Sequence, residues 1–419
     1  MALIEKISAE EVLDSRGIPT LKATAYLQDG NFGTASVPAG ISTGTHEAFE
    51  LRDADESRYG GLGVQKAIAN VNGEISKILS GVEASDQRKI DNALNKLDGT
   101  GTKRRLGANT TLSVSLAVAV AEAKRGRLQL YEYLRKNVLG ESNETYELPL
   151  LMTNVIEGGR HVDKGLDFQE FLVIPRGFQF FSEGYENIKK LIKSLEELAK
   201  QKKHDRSLGI EGGLALNLKS NEEAITLIKE AIDASGLSKE RFAIALDVAA
   251  NSVFKDGQYH VLDFEFPLGR EEYYKFLTGL CKKHNLFSVE DPFEEDNWYA
   301  WTDFTKQVQS ATLVIGDDLT TTNLARLETA ISRNSLTGVI VKPNQIGTLT
   351  ETLDFIKRAK EAGLKIVVSH RSGETQDNFI SDLAVAVNAQ FIKIGSPLQK
   401  ERYSKFKRLL EIEKQLNKN

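Results

Sequence analysis

Seven residues of acid–base or metal-binding type stand at the ends of short apolar runs in this chain. Asp247 closes Phe242 to Leu246, Glu290 closes Leu286 to Val289, and Asp317 follows Leu313 to Gly316. Lys342 follows Val339 to Val341, His370 and Arg371 follow Ile366 to Ser369, and Lys393 follows Phe391-Ile392. Three carboxylates from successive strands repel one another unless a cation joins them. Hard oxygen donors, with no cysteine set and no histidine pair, favour Mg²⁺ or Mn²⁺ over zinc. Lys342, set before Pro343, is a candidate base, because a partly desolvated lysine can give up its proton. Lys393 adds a second positive charge, expected to depress the pKa of Lys342. Metal and lysine charge in one pocket suit an intermediate that gains negative charge, such as a carbanion beside a carboxylate in its aci form. Each residue taken singly has a plainer reading: a strand-end lysine can snorkel, and Asp247 or Asp317 can cap a helix. Their joint register favours the metal site.

The elements that would position these groups follow from the spacing. From Glu290 onward the polar ends recur every 23 to 28 residues, at 290, 317, 342, 370 and 393. The gaps carry helical patterns such as Leu349, Leu353, Ile356 and Ala359, which is a βα period. Leu150 to Ile156 and Phe168 to Ile174 bring the count to eight strands, the number that closes a barrel and gathers its strand ends onto one pocket. The N-terminal part differs. Leu21, Ala23, Ala25 and Leu27 alternate, and Asp29-Gly30 turns the chain toward Phe32 to Val37, predicting a three-stranded antiparallel meander. Helical periodicity then runs from Gly63 to Leu128, with a small-residue helix over Leu112 to Ala123. The polar, turn-rich stretch from Asn137 to Glu147 places a boundary between an N-terminal α+β domain, residues 1–137, and a C-terminal β/α barrel, residues 138–419. The segment Pro38 to Glu47 has no periodicity and reads as a mobile loop able to close over a ligand; its Ser42, taken alone, reads rather as an ordinary helix N-cap.

At 419 residues, with 41% hydrophobic and 27% charged residues, the chain has the composition of a soluble globular protein of about two domains. A net charge of −5 argues against nonspecific nucleic-acid binding. The start lacks a secretory signal and no apolar run is long enough to span a bilayer, so a cytoplasmic location is expected. The single cysteine, Cys281, reads as core filler.

The chain resembles the enolase family, glycolytic lyases that dehydrate 2-phosphoglycerate to phosphoenolpyruvate. The resemblance runs from Ile4 nearly to the C-terminus. It is carried by Ser15-Arg16-Gly17, Ser42-Thr43-Gly44, Leu106-Gly107-Ala108-Asn109, Asp167 to Phe171, Ala245 to Ala249, Ser288 to Pro292, Gly316 to Leu319, Lys342 with Asn344 to Thr352, and Ser369 to Thr375. It implies an enolase-type barrel whose second strand is antiparallel, which restores Glu170, at the start of its strand, to the active face. A Lys base with Mg²⁺ on the ene-diolate is the general pattern of the superfamily.

By the same resemblance Lys342 would take the C2 proton and Glu211, in Gly209-Ile210-Glu211-Gly212-Gly213, would protonate the departing C3 hydroxyl. Asp247, Glu290 and Asp317 would hold one Mg²⁺, with Lys393 adding charge, and Ser42 would help hold a second. Arg371 and Ser372 would grip the phosphate, His161, Gln169 and Glu170 would line the hydroxyl side, and His370 would flank the pocket. His161 alone would more often be structural. The family's members form dimers or larger assemblies. This sequence departs from the family at Ile210, where Asp is usual, Glu157 (Asn), Ala39 (Ser), Ile18 (Asn) and Ile394 (Thr), which alters the surroundings of the acid and removes no named catalytic group. Two other readings stand beside this one: a divergent lyase of the superfamily acting on another acid, and an enolase-like scaffold or binding protein.

Overall fold

The computed structural model describes residues 2–40, 44–143, 145–163, 165–204 and 207–418. Its strands in chain order are β1 (Ile4–Leu13), β2 (Pro19–Leu27), β3 (Phe32–Ser36), β4 (Leu150–Glu157), β5 (Glu170–Pro175), β6 (Ser207–Leu208), β7 (Leu214–Ala215), β8 (Phe242–Asp247), β9 (Phe254–Lys255), β10 (Gln258–Tyr259), β11 (Ser288–Glu290), β12 (Leu313–Gly316), β13 (Gly338–Val341), β14 (Lys365–Ser369) and β15 (Phe391–Lys393). The first three form the expected antiparallel meander. Against it lies the helix Ala108–Arg125, buried along most of its length. Its small residues let the backbones approach so closely that a Cβ at Gly33 would collide with the backbone of Ala117 and Ala121.

Eight strands close the barrel in the order β4-β5-β8-β11-β12-β13-β14-β15, with β15 pairing back to β4. β5 runs antiparallel to both its neighbours, and the other pairings are parallel. Helices such as Arg270–His284, Trp298–Val308 and Leu349–Glu361 alternate with the later strands. Their N-termini are capped elsewhere than at the candidate metal ligands: the side chains of Asn297, Asn323 and Thr348 accept first-turn N–H groups of three of the helices.

Strand periodicity explains how the site is built. The barrel interior is a layer of apolar side chains, Met152, Leu172, Ile174, Ala243, Ala245, Ile315, Ile340, Val367 and Phe391. Side chains alternate along a strand, so the next inward position is two residues on. Counting two beyond Ala245, Ile315, Ile340 and Phe391 gives Asp247, Asp317, Lys342 and Lys393. On the antiparallel strand the count runs backward, from Leu172 to Glu170. The polar layer therefore sits on an apolar floor at one rim of the barrel.

The N-terminal domain is tied to that rim. Ala39 and Gly373 exchange backbone hydrogen bonds of 2.8 and 2.9 Å, Ser15 N–H donates to Glu374 O at 2.7 Å, and Ser36 N–H donates to the Asp377 carboxylate at 2.9 Å.

Candidate active site

Lys342 leaves β13 with its ammonium paired to Asp317 Oδ2. Asp317 Oδ1 accepts from Gln345 Nε2 at 2.9 Å. Lys393, buried to 2% exposure, lies 2.9 Å from Asp247 Oδ2, 3.0 Å from Glu290 and 3.2 Å from Glu170 Oε2. Asp247 and Glu290 face each other in register on adjacent strands, as do Asp247 and Glu170. Gln169 Nε2 donates to Asp247 Oδ2 at 3.3 Å. The two lysines thus lie among four carboxylates, one lysine toward Asp317 and the other among Asp247, Glu290 and Glu170.

A second group surrounds Glu211. His370 Nε2 stands 3.2 Å from Glu211 Oε2, and His161 Nε2 stands 3.7 Å from Oε1, beyond hydrogen-bond reach. His161 Nδ1 is 3.8 Å from both Glu157 and Glu170. On a third side Arg371 is held by Glu47 in a bidentate pair, Nη1 to Oε2 at 2.9 Å and Nη2 to Oε1 at 3.1 Å, and Nη1 also donates to Asn344 Oδ1 at 3.0 Å. The guanidinium passes so close to the loop that a Cβ at Gly40 would collide with it. Ser372 is buried beside it, its carbonyl accepting from Arg402 Nη2 at 2.8 Å. Ser42 lies outside the described residues.

Burial and charge divide the ionisations. Glu290 is pushed up to about 8 by burial and by the neighbouring Asp247, against the pull of Lys393. Burial, then Glu211, raise Glu170 well above the usual carboxylate range. Burial would raise Glu211 too, but His161, His370 and Arg402 outweigh it and hold its carboxyl low. The histidines are themselves pushed down by burial, His370 to about 4. Lys342 corrects an expectation. Burial lowers it most, and Arg371 and Lys393 lower it further, as expected of Lys393; but Asp317 in direct contact, with Glu290, pulls the other way, and the net pKa is raised rather than depressed.

The donor set fits a hard divalent cation. Asp247, Glu290 and Asp317 offer only carboxylate oxygens, and burial followed by the Asp247 charge favours a proton on Glu290, the two conditions a bound cation would relieve. Among the described residues, the all-carboxylate cluster whose oxygens lie within 4.8 Å of one another is a different set, Asp291, Asp317 and Asp318. Asp291 is turned to structure, accepting the N–H groups of Asp317 at 2.9 Å and Asp318 at 2.8 Å, and so it fixes the loop that presents Asp317.

Residues 4–134 match the family described as Enolase, N-terminal domain, and residues 145–419 match Enolase, C-terminal TIM barrel domain. The chain belongs to the enolase family. Enolase-type lyases act on small molecules, and members of the superfamily bind Mg²⁺. No helix among the described residues of this enolase-family chain is long and apolar enough to cross a membrane.

The structure brings Lys342, Lys393, Asp247, Glu290, Asp317, Glu170, Gln169, Glu211, His161 and His370 to one rim, with Arg371 and Ser372 alongside. Sequence reasoning assigned no role to Glu47, Gln345, Asn344, Asp291 or Arg402. Glu47 is the residue whose carboxylate meets Arg371, 324 positions away in sequence, and no local signal announces such a pair.

Proposed function

We propose that this protein catalyses the Mg²⁺-dependent, reversible dehydration of 2-phosphoglycerate to phosphoenolpyruvate. The observation that supports the proposal is the presence at one barrel rim of the buried Lys342–Asp317 and Lys393–carboxylate pairs, the Glu211–His161–His370 group and Arg371. Lys342 takes the proton from C2, and the electron pair left on C2 moves to expel the C3 hydroxyl, which Glu211 protonates so that it leaves as water. Asp247, Glu290 and Asp317 would hold one Mg²⁺ and Ser42 would help hold a second; bound there, the ions would supply positive charge for the developing carbanion, and with Asp317 so engaged Lys342 would be freer to give up its proton. Lys393 adds fixed positive charge from the barrel axis. Arg371 and Ser372 hold the phosphate, and Gln169, Glu170, His161 and His370 enclose the hydroxyl end.

As described, Lys342 is an ammonium and Glu211 a carboxylate, the ionisation that serves hydration of phosphoenolpyruvate. Dehydration starts from the opposite pair of proton positions. The test is formation of phosphoenolpyruvate, followed by its absorbance, from 2-phosphoglycerate with and without Mg²⁺. Wild type should produce it only with the metal, and Lys342→Ala should not. No product from wild type, or undiminished product from the variant, refutes the proposal.

A further inference from the structure

Glu157 is wholly buried and has no part in the chemistry above. Plain alternation along β4 would send it outward: Met152 and Asn154 face the barrel interior, which makes 156 the next inward position. The ladder between β4 and β5 slips between Asn154 and Ile156, so that Asn154 pairs with Leu172, Ile156 with Phe171 and Glu157 with Glu170. One extra residue, Val155, is absorbed as a β-bulge. Ile156 is thereby turned into the outer hydrophobic core, and Glu157 to the side of Glu170.

There its carboxylate meets the backbone of the Glu211 loop. Glu157 Oε2 accepts the N–H of Glu211 at 3.1 Å, and Oε1 accepts the N–H of Gly213 at 2.5 Å. The loop closes tightly over it. A Cβ at Gly209 would collide with Glu157 Oε2, and one at Gly213 would stand 3.0 Å from Oε1. Other bonds also hold the loop: Gly209 N–H donates to Gly213 O at 2.8 Å, Ser396 N–H to Glu211 O at 2.9 Å, Ile210 N–H to His161 O at 3.2 Å, and Gln399 Nε2 to Gly209 O at 3.3 Å, but none of them reaches the N–H groups of Glu211 and Gly213. Among the described residues, the Glu211 side chain has the long contact from Asn154 Nδ2 at 3.5 Å and the imidazoles of His370 and His161 at 3.2 and 3.7 Å. The backbone that carries it into this contact is the part that Glu157 holds.

We infer that Glu157 is the positioning residue for Glu211: the bulge at Val155 aims it at the loop, and its two oxygens clamp the Glu211 and Gly213 N–H groups to set the acid against His161 and His370. This rests on the proposed role of Glu211. It also accounts for a paired departure, since the chain lacks the usual Asp at 210 and carries a carboxylate at 157 in place of Asn.

The experiment compares E157Q, E157N, I210D and E157N/I210D as full-length proteins with Mg²⁺ and 2-phosphoglycerate. Glutamine keeps the shape but turns an N–H donor on one of two backbone donors, so E157Q should lose about ten- to a hundredfold in kcat while KM moves less than about twofold. E157N should lose as much, and E157N/I210D should recover to within about threefold of wild type, a rescue that mere packing would not give. Hydrogen exchange by mass spectrometry of the peptide spanning 209–213 should be faster in E157Q and restored in the double variant. If E157Q does not fold, E157D, which keeps the charge one methylene short, takes its place in the same comparison. Wild-type kcat in E157Q, or a double variant no better than E157N, overturns the inference. If wild type itself fails to turn over 2-phosphoglycerate, the functional proposal fails, and the exchange comparison still decides whether Glu157 holds the loop.

Discussion

Binding of Mg²⁺ should release a proton, and the amount follows from Glu290. That carboxyl is held up to about 8 by burial and by Asp247, so in the metal-free protein it is protonated below that value and ionised above it. A carboxylate must be free of its proton to ligate. At pH 7 roughly nine-tenths of Glu290 carries a proton, so binding should release about 0.9 H⁺ from this group, and apparent affinity should stand about tenfold below its alkaline plateau and about a hundredfold below it at pH 6. The sign is fixed by the direction of the shift: affinity rises with pH and flattens above about 8. Isothermal titration of Mg²⁺ into the protein at pH 6, 7 and 9, in two buffers of different ionisation enthalpy, reads both quantities. Glu290→Gln should bind more weakly and lose most of the pH dependence. Affinity independent of pH, with no buffer-dependent heat, would refute the reasoning, because Glu290 would then be ionised in the empty site.

Lys393→Met should leave Asp247, Glu290 and Glu170 buried without their shared cation, costing about 3–5 kcal/mol in denaturant unfolding at pH 9, with a smaller loss at pH 6 where Glu170 and Glu290 take up protons. The lysine's own pKa is raised, so its contribution is complete below the ordinary lysine value of 10.5 and is lost only as pH climbs past it; equal stability of the variant at pH 9 would contradict this. Cys281, buried and with its thiol pushed up to about 12, should resist alkylation in the folded protein at pH 8 and react on denaturation. Fast labelling of the native protein would contradict that burial.

Much of this architecture is written into local pattern. The βα spacing of residues 290 to 393 and the polar residue closing each apolar run suffice to predict a barrel and its rim, because period-2 alternation in a closed barrel leaves one inward position above the apolar layer. Glu170 is different: in a parallel strand it would sit at the wrong end, and only family resemblance supplied the reversal of β5. Glu157 was legible as a departure but not as a clamp, since a bulge changes the parity of a strand without marking the sequence. Lys393 does lower the pKa of Lys342 as expected, but the net direction is upward, because sequence gives the inventory of charges and not their distances, and Asp317 lies in direct contact.

The most direct test of the central assignment, Lys342 as base and Glu211 as acid, is exchange of the C2 hydrogen of 2-phosphoglycerate with deuterated solvent, followed by NMR in the presence of Mg²⁺. Glu211→Gln should lose dehydration while C2 exchange continues, and Lys342→Ala should lose both. Exchange that persists in Lys342→Ala, or that vanishes in Glu211→Gln together with dehydration, would contradict the division of roles.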